Sequence, residues 1–129
     1  MKVLVDTAVW VQHFKERNEQ LADLLEAGAV ICHPYIVTEI ACGTPPNRRA
    51  LIGMLQELES AAIVTQAEVL GFIERKALHG RGCGFVDLNL LAATLVSSHT
   101  RIWTLDKRLD ALAGELDCGF QSPSSSRVH

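Results

Sequence analysis

A short apolar run near the amino terminus constrains the fold more than any other feature of the chain. Val3, Leu4 and Val5 form this run, which stops at Asp6. A continuous run of apolar and β-branched residues is typical of a strand buried on both faces, as in a parallel sheet. Apolar residues then recur at helical spacing from Val9 onwards, so a helix is expected next. Asp6 should therefore lie at the carboxyl end of a central strand, where ligands bind in open α/β sheets.

Apolar runs and helical stripes alternate along the rest of the chain. Further strands are predicted at 29–32, 62–64 and 102–103, with a short fifth strand near 118–120. This alternation predicts right-handed βαβ units and an α/β three-layer sandwich around a mostly parallel sheet of about five strands. The domain is expected to span residues 1–120, and the polar, Ser-rich stretch 121–129 is expected to be a flexible tail.

Local signals mark the ends of individual helices. Pro34 suits the first position of a helix that follows the second predicted strand. Thr65 and Glu68 have the spacing of a capping box, which begins a helix, and Gly80 is expected to end that helix. A long helix is predicted over 85–98.

Composition excludes several classes of protein. The 129 residues suffice for one domain, and 48% hydrophobic with 21% charged residues is ordinary for a compact globular chain. No apolar run approaches the ~20 residues needed to span a bilayer. Asp6 and His13 interrupt any apolar segment that could serve as a signal peptide, so a cytoplasmic protein is expected.

The cysteines and histidines do not form a recognisable metal motif. The cysteines occur singly, without a Cys-x-x-Cys pair, at Cys32, Cys42, Cys83 and Cys118. Buried, reduced thiols are the expected state, and a zinc site that draws on His33 or His79 is the weaker alternative. The histidines also lack the His-Glu-x-x-His spacing of a metalloprotease helix.

Four carboxylates stand out by their positions, namely Asp6, Glu39, Asp87 and Asp106. Asp6 and Asp106 follow predicted strands, Asp87 begins the apolar stripe of its helix, and Glu39 has largely apolar neighbours. Each has an ordinary alternative, because the three aspartates could cap helices and Glu39 could be a surface residue. Three of the four are nevertheless expected at the same edge of the sheet, which favours a shared site.

Several carboxylates in one pocket repel each other and raise their own pKa values. A hard divalent cation removes this repulsion, since Mg²⁺ or Mn²⁺ prefers oxygen ligands, and it can polarise a phosphodiester. The net charge of −3 also depends on these residues: without the four there are 11 acidic residues against 12 Lys and Arg. The basic residues proposed to contact phosphates are Arg48, Arg49, Arg81, Arg101, Lys107 and Arg108.

Four segments of the chain together resemble a PIN domain. They are Asp-Thr-Ala-Val-Trp at 6–10, Thr-Glu-Ile at 38–40, Gly-Phe-Val-Asp at 84–87 and Trp-Thr-Leu-Asp-Lys-Arg-Leu at 103–109. Within that family the chain is most similar to the ribonuclease toxins of VapBC-type toxin–antitoxin pairs. The resemblance covers residues 1–120, and its strength lies in the order and spacing of the four segments.

The resemblance implies a parallel sheet of order 3-2-1-4-5 and a Mg²⁺- or Mn²⁺-dependent endoribonuclease. It also implies a homodimer, and a small VapB-type antitoxin that fills the active-site groove. Asp6, Asp87 and Asp106 would hold the metal, and Glu39 would orient or deprotonate the attacking water. The supporting residues implied are the hydroxyl groups of Thr7 and Thr104, with Asn89 and Asp110 as peripheral candidates. The chain departs from many relatives at Ala8, where they have Ser or Asn.

Other functions remain open at this stage. A PIN fold could bind RNA or a protein partner without cleaving it. A receiver-like signalling domain also has acids at strand ends, but it needs further acids beside Asp6 and a Lys after the last strand, and neither is present. A phosphatase of the Asp-x-Asp type fails because Ala8 occupies the position of the second acid.

Overall fold

A computed structural model describes residues 1–121 of the chain. Its helices and strands are β1 (Lys2–Val5), α1 (Thr7–Lys15), α2 (Glu19–Glu26), β2 (Val30–Cys32), α3 (Pro34–Ala41), α4 (Arg48–Glu57), β3 (Glu59–Ser60), α5 (Gln66–Lys76), α6 (Phe85–Val96), β4 (Thr100–Trp103) and α7 (Lys107–Glu115). The four strands form one parallel sheet of order β3-β2-β1-β4, flanked by helices. This arrangement confirms the predicted α/β sandwich, and the predicted strand order holds for these four strands.

β1 is the centre of the sheet, as its sequence indicates. Leu4 pairs with Ile31 of β2 on one side and with Ile102 of β4 on the other. Val3, Leu4 and Val5 are completely buried, which accounts for an apolar run without alternation. Because β2 and β4 both run parallel to β1, the carboxyl ends of all three strands meet at one edge of the sheet.

The predicted third strand at 62–64 is wrong, since the chain pairs with β2 three residues earlier, at Glu59–Ser60. β2 ends at Cys32 because His33 caps α3 and Pro34 opens it, so little of β2 is available for pairing. The backbone N–H of Ala62 then donates to Ser97 Oγ at 2.9 Å, which draws the chain away from the sheet. Ile63 is 62% exposed, so its apolar character did not indicate a buried strand.

The fifth strand is reduced to a single bridge beside β4, between Ile102 and Gly119. Two backbone hydrogen bonds hold it, Ile102 N–H to Cys118 O and Phe120 N–H to Ile102 O, each 2.8 Å. The predicted position next to β4 is therefore correct, but the segment is too short to count as a strand in residues 1–121. The predicted flexible tail, 121–129, lies outside the described residues apart from Gln121.

The capping box of α5 is present: Thr65 Oγ1 accepts from the Glu68 N–H at 3.1 Å, and Glu68 Oε1 accepts from the Thr65 N–H at 3.0 Å. The end of this helix differs from the prediction. Ala77 ends the helix in the left-handed conformation, with φ of 52°, three residues before Gly80, which also has a positive φ, of 70°. The chain turns there because Leu78 is buried and its N–H bonds to Ile73 O.

No helix in residues 1–121 is long and apolar enough to cross a membrane.

Candidate active site

The ends of β1 and β4 are joined through Thr104. Its hydroxyl group donates to Asp6 Oδ2 at 2.7 Å and accepts from the Asp106 N–H at 3.1 Å. The Asp6 N–H in turn donates to Trp103 O at 2.9 Å. Asp6 and Thr104 are both buried, at 9% and 7% exposure, so this contact fixes the Asp6 carboxylate with little freedom. The predicted proximity of the strand-end residues is observed.

Thr7 connects the same region to α3. Its hydroxyl group donates to Glu39 Oε1 at 2.6 Å, while the Thr7 N–H donates to Asp6 Oδ1 at 2.8 Å. Glu39 is exposed, but this bond orients one of its oxygens towards the end of β1. Thr7 therefore holds two of the candidate carboxylates in a fixed relation to each other.

Asp87 reaches the site from the first turn of α6. Its Oδ2 accepts a long hydrogen bond of 3.4 Å from the Gly84 N–H, which caps that helix. Partial burial raises the pKa of the Asp87 carboxyl, and the charges of Asp6, Asp106 and Glu39 raise it further, against the effect of the Gly84 bond. Asp87 thus responds electrostatically to all three of the other carboxylates, as expected for acids in one site.

These carboxylates line one open groove of about 800 Å³, called here the acidic groove. Its lining residues are Asp6, Thr7, Ala8, Val11, Gln12, Lys15, Glu39, Asp87, Leu105 and Asp106. In the part of the chain that the structure describes, none of the four acids lies within 4 Å of a Lys or Arg nitrogen. Their mutual repulsion is therefore not offset by a direct ion pair.

The donor set of the groove fits a hard divalent cation that keeps part of its water shell. Within residues 1–121, no three acidic, histidine or cysteine side chains already form a closed metal cluster. Mg²⁺ usually retains several waters and binds one or two carboxylates directly, so an open arrangement of oxygens suffices. In these residues, Glu39 Oε2, Asp87 Oδ1 and Asp106 Oδ2 accept no hydrogen bond from the protein and could face such an ion or its waters.

The ordinary capping interpretations are also correct for the three aspartates. Asp6 is the N-cap of α1, and Asp106 Oδ1 accepts from the N–H groups of Arg108 and Leu109 at the start of α7. Asp87 occupies the third position of α6. Capping uses one oxygen of Asp106 and one of Asp87, so it orients the side chains without occupying them fully. The two interpretations are compatible.

The predicted phosphate-binding residues divide into two groups. Arg48 and Arg49 lie at the start of α4 outside the acidic groove, where Arg48 Nη2 donates to Ala41 O at 2.7 Å. Arg101 donates to Gly119 O at 3.0 Å. None of these three arginines lines the acidic groove, and backbone carbonyls engage two of them.

Arg81, Lys107 and Arg108 lie closer to the acids. Arg81 forms an exposed ion pair with Glu115, which raises the Arg81 pKa. Lys107 and Arg108 directly follow Asp106, and the Arg108 side chain passes over Gly82, where a Cβ would come within 2.5 Å of Arg108 Cδ. These three remain candidates for contacting an RNA backbone beside the groove.

Sequence reasoning missed Lys15, which is the basic residue among those that line the acidic groove. A usable signal was present: Ala8, Val11, Gln12 and Lys15 follow one face of a helix at successive turns. This is the face that continues from Asp6 and Thr7.

The peripheral candidates and the cysteines have other roles. Buried Asn89 donates to Phe85 O at 2.8 Å within α6, and neither Asn89 nor Asp110 lines the acidic groove.

All four cysteines are free, as predicted, and burial raises the pKa of both Cys32 and Cys118 to about 11. Cys42 is exposed, so the expectation that every thiol is buried is wrong. Cys42 comes directly after α3, beyond the packed part of that helix.

Comparison with known proteins gives evidence independent of this geometry. No protein-family model matches the chain. Ribonuclease VapC32 of Mycobacterium tuberculosis strain CDC 1551 / Oshkosh is 39% identical over 113 residues, which cover 88% of this chain and 91% of the relative. Ribonuclease VapC32 of strain ATCC 25618 / H37Rv matches with the same identity and coverage. Identity at this level over most of both chains shows common descent.

Proposed function

The chain belongs to the VapC family of PIN-domain ribonucleases, and from this premise we propose that three of its acidic-groove carboxylates, those of Asp6, Asp87 and Asp106, bind a divalent metal ion for cleavage of RNA. Family membership confirms the predicted activity class, an endoribonuclease that acts as the toxin of a toxin–antitoxin pair. It also implies an RNA substrate and a VapB-type antitoxin. The alternative of a non-catalytic binding module is disfavoured, because the relatives are named as ribonucleases.

One observation carries the metal proposal. Burial raises the pKa of Asp87, the charges of Asp6, Asp106 and Glu39 raise it further, and no basic side chain of the described residues pairs with these acids. A site that concentrates negative charge in this way favours a cation. Oxygen-only donors favour Mg²⁺ or Mn²⁺ over softer metals.

The residues divide the chemical work as follows. Asp6, Asp87 and Asp106 would hold the cation, directly or through water, and there it would supply polarisation of the scissile phosphodiester and neutralisation of its charge. Glu39 accepts a proton from the attacking water through Oε2, because Thr7 already occupies Oε1. Thr104 keeps Asp6 in register with Asp106. Arg81, Lys107 and Arg108 contact the RNA backbone beside the groove.

RNA cleavage with and without metal tests this assignment. Purified protein should cleave single-stranded RNA in Mg²⁺ or Mn²⁺ and lose this activity in EDTA. Asp6→Asn should abolish cleavage, whereas Asp23→Asn, at an exposed acid of α2, should not. Full activity of Asp6→Asn, or cleavage that persists in EDTA, would contradict the assignment.

We also propose that the protein is a homodimer. A largely apolar surface between α5 and α6 supports this proposal. Leu95 and Val96 of this surface are 41% and 62% exposed, and Ile63 is the sequence neighbour of Val64, which also lines it. Size-exclusion chromatography with light scattering should give twice the mass of one chain. A single-chain mass at micromolar concentration, in the absence of any partner, would refute the dimer.

A further inference from the structure

A pair of aromatic rings lies beside the acidic groove and is not explained by the metal chemistry. Phe85 and Tyr35 have ring centroids 5.9 Å apart at an interplanar angle of 33°, and Tyr35 also contacts the ring of His33 at 4.9 Å. Phe85 is 57% exposed although it is a large apolar side chain. An isolated exposed apolar residue is common, but this one continues a layer of rings that extends to the buried His33.

The position of Tyr35 places the ring pair next to one of the catalytic acids. Phe85 is the first residue of α6 and Asp87 is the third, while Tyr35 precedes Glu39 by four residues on α3. Residues four apart in a helix have Cβ atoms about 5–6 Å from each other, so Tyr35 lies one turn from Glu39 on the same face. The ring pair therefore borders Glu39, whereas Phe85 and Asp87, two residues apart on α6, point to different sides of that helix.

We propose that Phe85, supported by Tyr35, stacks on a nucleobase of the RNA next to the cleaved phosphodiester and so positions the strand. This inference rests on the proposed function and adds a substrate-positioning residue to it. Aromatic side chains bind single-stranded nucleic acid in this way because every base offers a flat π-face. A base stacked on Phe85, at the side of the ring pair next to Glu39, leaves its phosphate free to reach the groove.

The electrostatics at this end of the groove favour a nucleotide over an apolar protein segment. Burial raises the pKa of the Cys83 thiol, the charges of Asp87 and Asp106 raise it further, and those of Arg108 and Arg81 lower it, so these four groups lie around one loop. The guanidinium groups of Arg81 and Arg108 act on Cys83, two residues before Phe85, and supply phosphate contacts, while the ring supplies a contact to the base. A wholly apolar partner would use the ring but not the arginines.

Binding to RNA with and without bases tests the proposal. Affinities for a labelled uridine oligonucleotide and for an abasic oligonucleotide of equal length are measured in EDTA, on an Asp87→Asn background that prevents cleavage and removes a repelling charge. The protein should prefer the oligonucleotide with bases, and Phe85→Leu should reduce this preference on the order of tenfold. Phe85→Trp should retain it. Leu70→Ala, which alters a similarly exposed residue of α5, should have no effect.

The ratio of the two affinities cancels general effects of folding and charge. As a second readout, the fluorescence of the indole introduced by Phe85→Trp should be quenched by the uridine oligonucleotide and not by the abasic one. If Phe85→Leu left the ratio of the two affinities unchanged, or if quenching were not selective, the proposal would be overturned. Weaker binding of a protein partner by Phe85→Leu would in that case assign the ring to that partner. Cleavage by the otherwise unaltered protein in Mn²⁺, measured in parallel, shows whether the proposed function fails as well.

Discussion

Among single residues, Thr104 has the largest part in the geometry of the site. Its one hydroxyl group contacts both Asp6 at the end of β1 and Asp106 at the start of α7. Thr104 thereby joins two elements that are distant in the sequence, since it lies 98 residues after Asp6. Thr7 has the matching role towards Glu39. The acids are therefore held by neutral hydroxyl groups, which leave their negative charge available for a cation.

Replacing Thr104 by Val should impair both stability and catalysis. The change keeps the shape but removes the donor to Asp6 and the acceptor for the Asp106 N–H, at a cost of about 1–3 kcal/mol in the free energy of unfolding. We expect kcat to fall about tenfold or more, because the Asp6 carboxylate is no longer fixed. Thr104→Ser retains the hydroxyl group and should behave like the unaltered protein in denaturant unfolding and in RNA cleavage. Equal kcat for the Val and Ser variants would argue against a positioning role.

His33 should make the protein sensitive to mild acid. Burial lowers the His33 pKa below 6.5, and its Nδ1 accepts the Tyr35 N–H at 3.0 Å, which requires the neutral ring. The unfolded chain binds this proton more readily than the folded one, so stability is fully present above about pH 6.5 and falls as the pH decreases towards the folded pKa. His13, whose pKa is lowered by burial and by Arg17, acts in the same direction.

Denaturant midpoints measured between pH 7.5 and pH 5.5 test this. His33→Asn keeps a side-chain oxygen as the cap of α3 but cannot titrate, so its midpoint should change less with pH than that of the unaltered protein. The same pH dependence in both proteins would show that His33 does not titrate in this range.

At the scale of elements, predictions succeeded where the signal was local or where burial was complete. The apolar run of β1 and the capping box of Thr65 and Glu68 were sufficient to identify their elements. β3 was misplaced because an edge strand of two exposed residues is defined by its partner, and the length of β2 is limited by the cap of α3. Pairing between strands depends on residues that are distant in the chain, so a short segment of sequence does not predict it.

The candidate site shows the same division. Asp6, Asp87 and Asp106 were selected from their positions at strand ends and helix starts, because parallel strands bring their carboxyl ends together, whereas Glu39 was selected from its apolar neighbours and the family resemblance. Lys15 and the contact between Phe85 and Tyr35 were missed, since each depends on how a helix is rotated against its neighbours. The bond of Arg48 to the Ala41 carbonyl was likewise not visible in the sequence.

The cap of α5 offers a test that separates stability from catalysis. Thr65→Ala removes the acceptor for the Glu68 N–H and should lower the free energy of unfolding by about 1 kcal/mol. α5 does not contribute to the lining of the acidic groove, so RNA cleavage well below the unfolding temperature should be unchanged. Thr65→Ser should restore most of the stability. A loss of kcat in Thr65→Ala under these conditions would mean that the start of α5 affects catalysis at the acidic groove.

At the scale of the whole molecule, the charge distribution relates fold to function. The net charge is −3, yet four of the acids are concentrated at one edge of the sheet, and the remaining residues carry 12 Lys and Arg against 11 acids. Occupation of the acidic groove by a divalent cation would thus convert a surface that repels RNA into one that can accept it. Metal binding and substrate binding should accordingly be coupled.

The most direct test of the central claim is thermal unfolding in chelator and in Mn²⁺, for the unaltered protein, Asp87→Asn and Asp23→Asn. At 100 times its Kd, an ion that binds only the folded state adds about 2.7 kcal/mol, a rise of roughly 10 °C in the midpoint. The raised pKa of Asp87 means that its ionised form destabilises the metal-free protein at neutral pH, so Asp87→Asn should be the more stable protein in chelator. We expect Mn²⁺ to raise the midpoint of the unaltered protein and of Asp23→Asn, and to leave that of Asp87→Asn nearly unchanged. Equal shifts in all three proteins, or none in any, would contradict a metal site in the acidic groove.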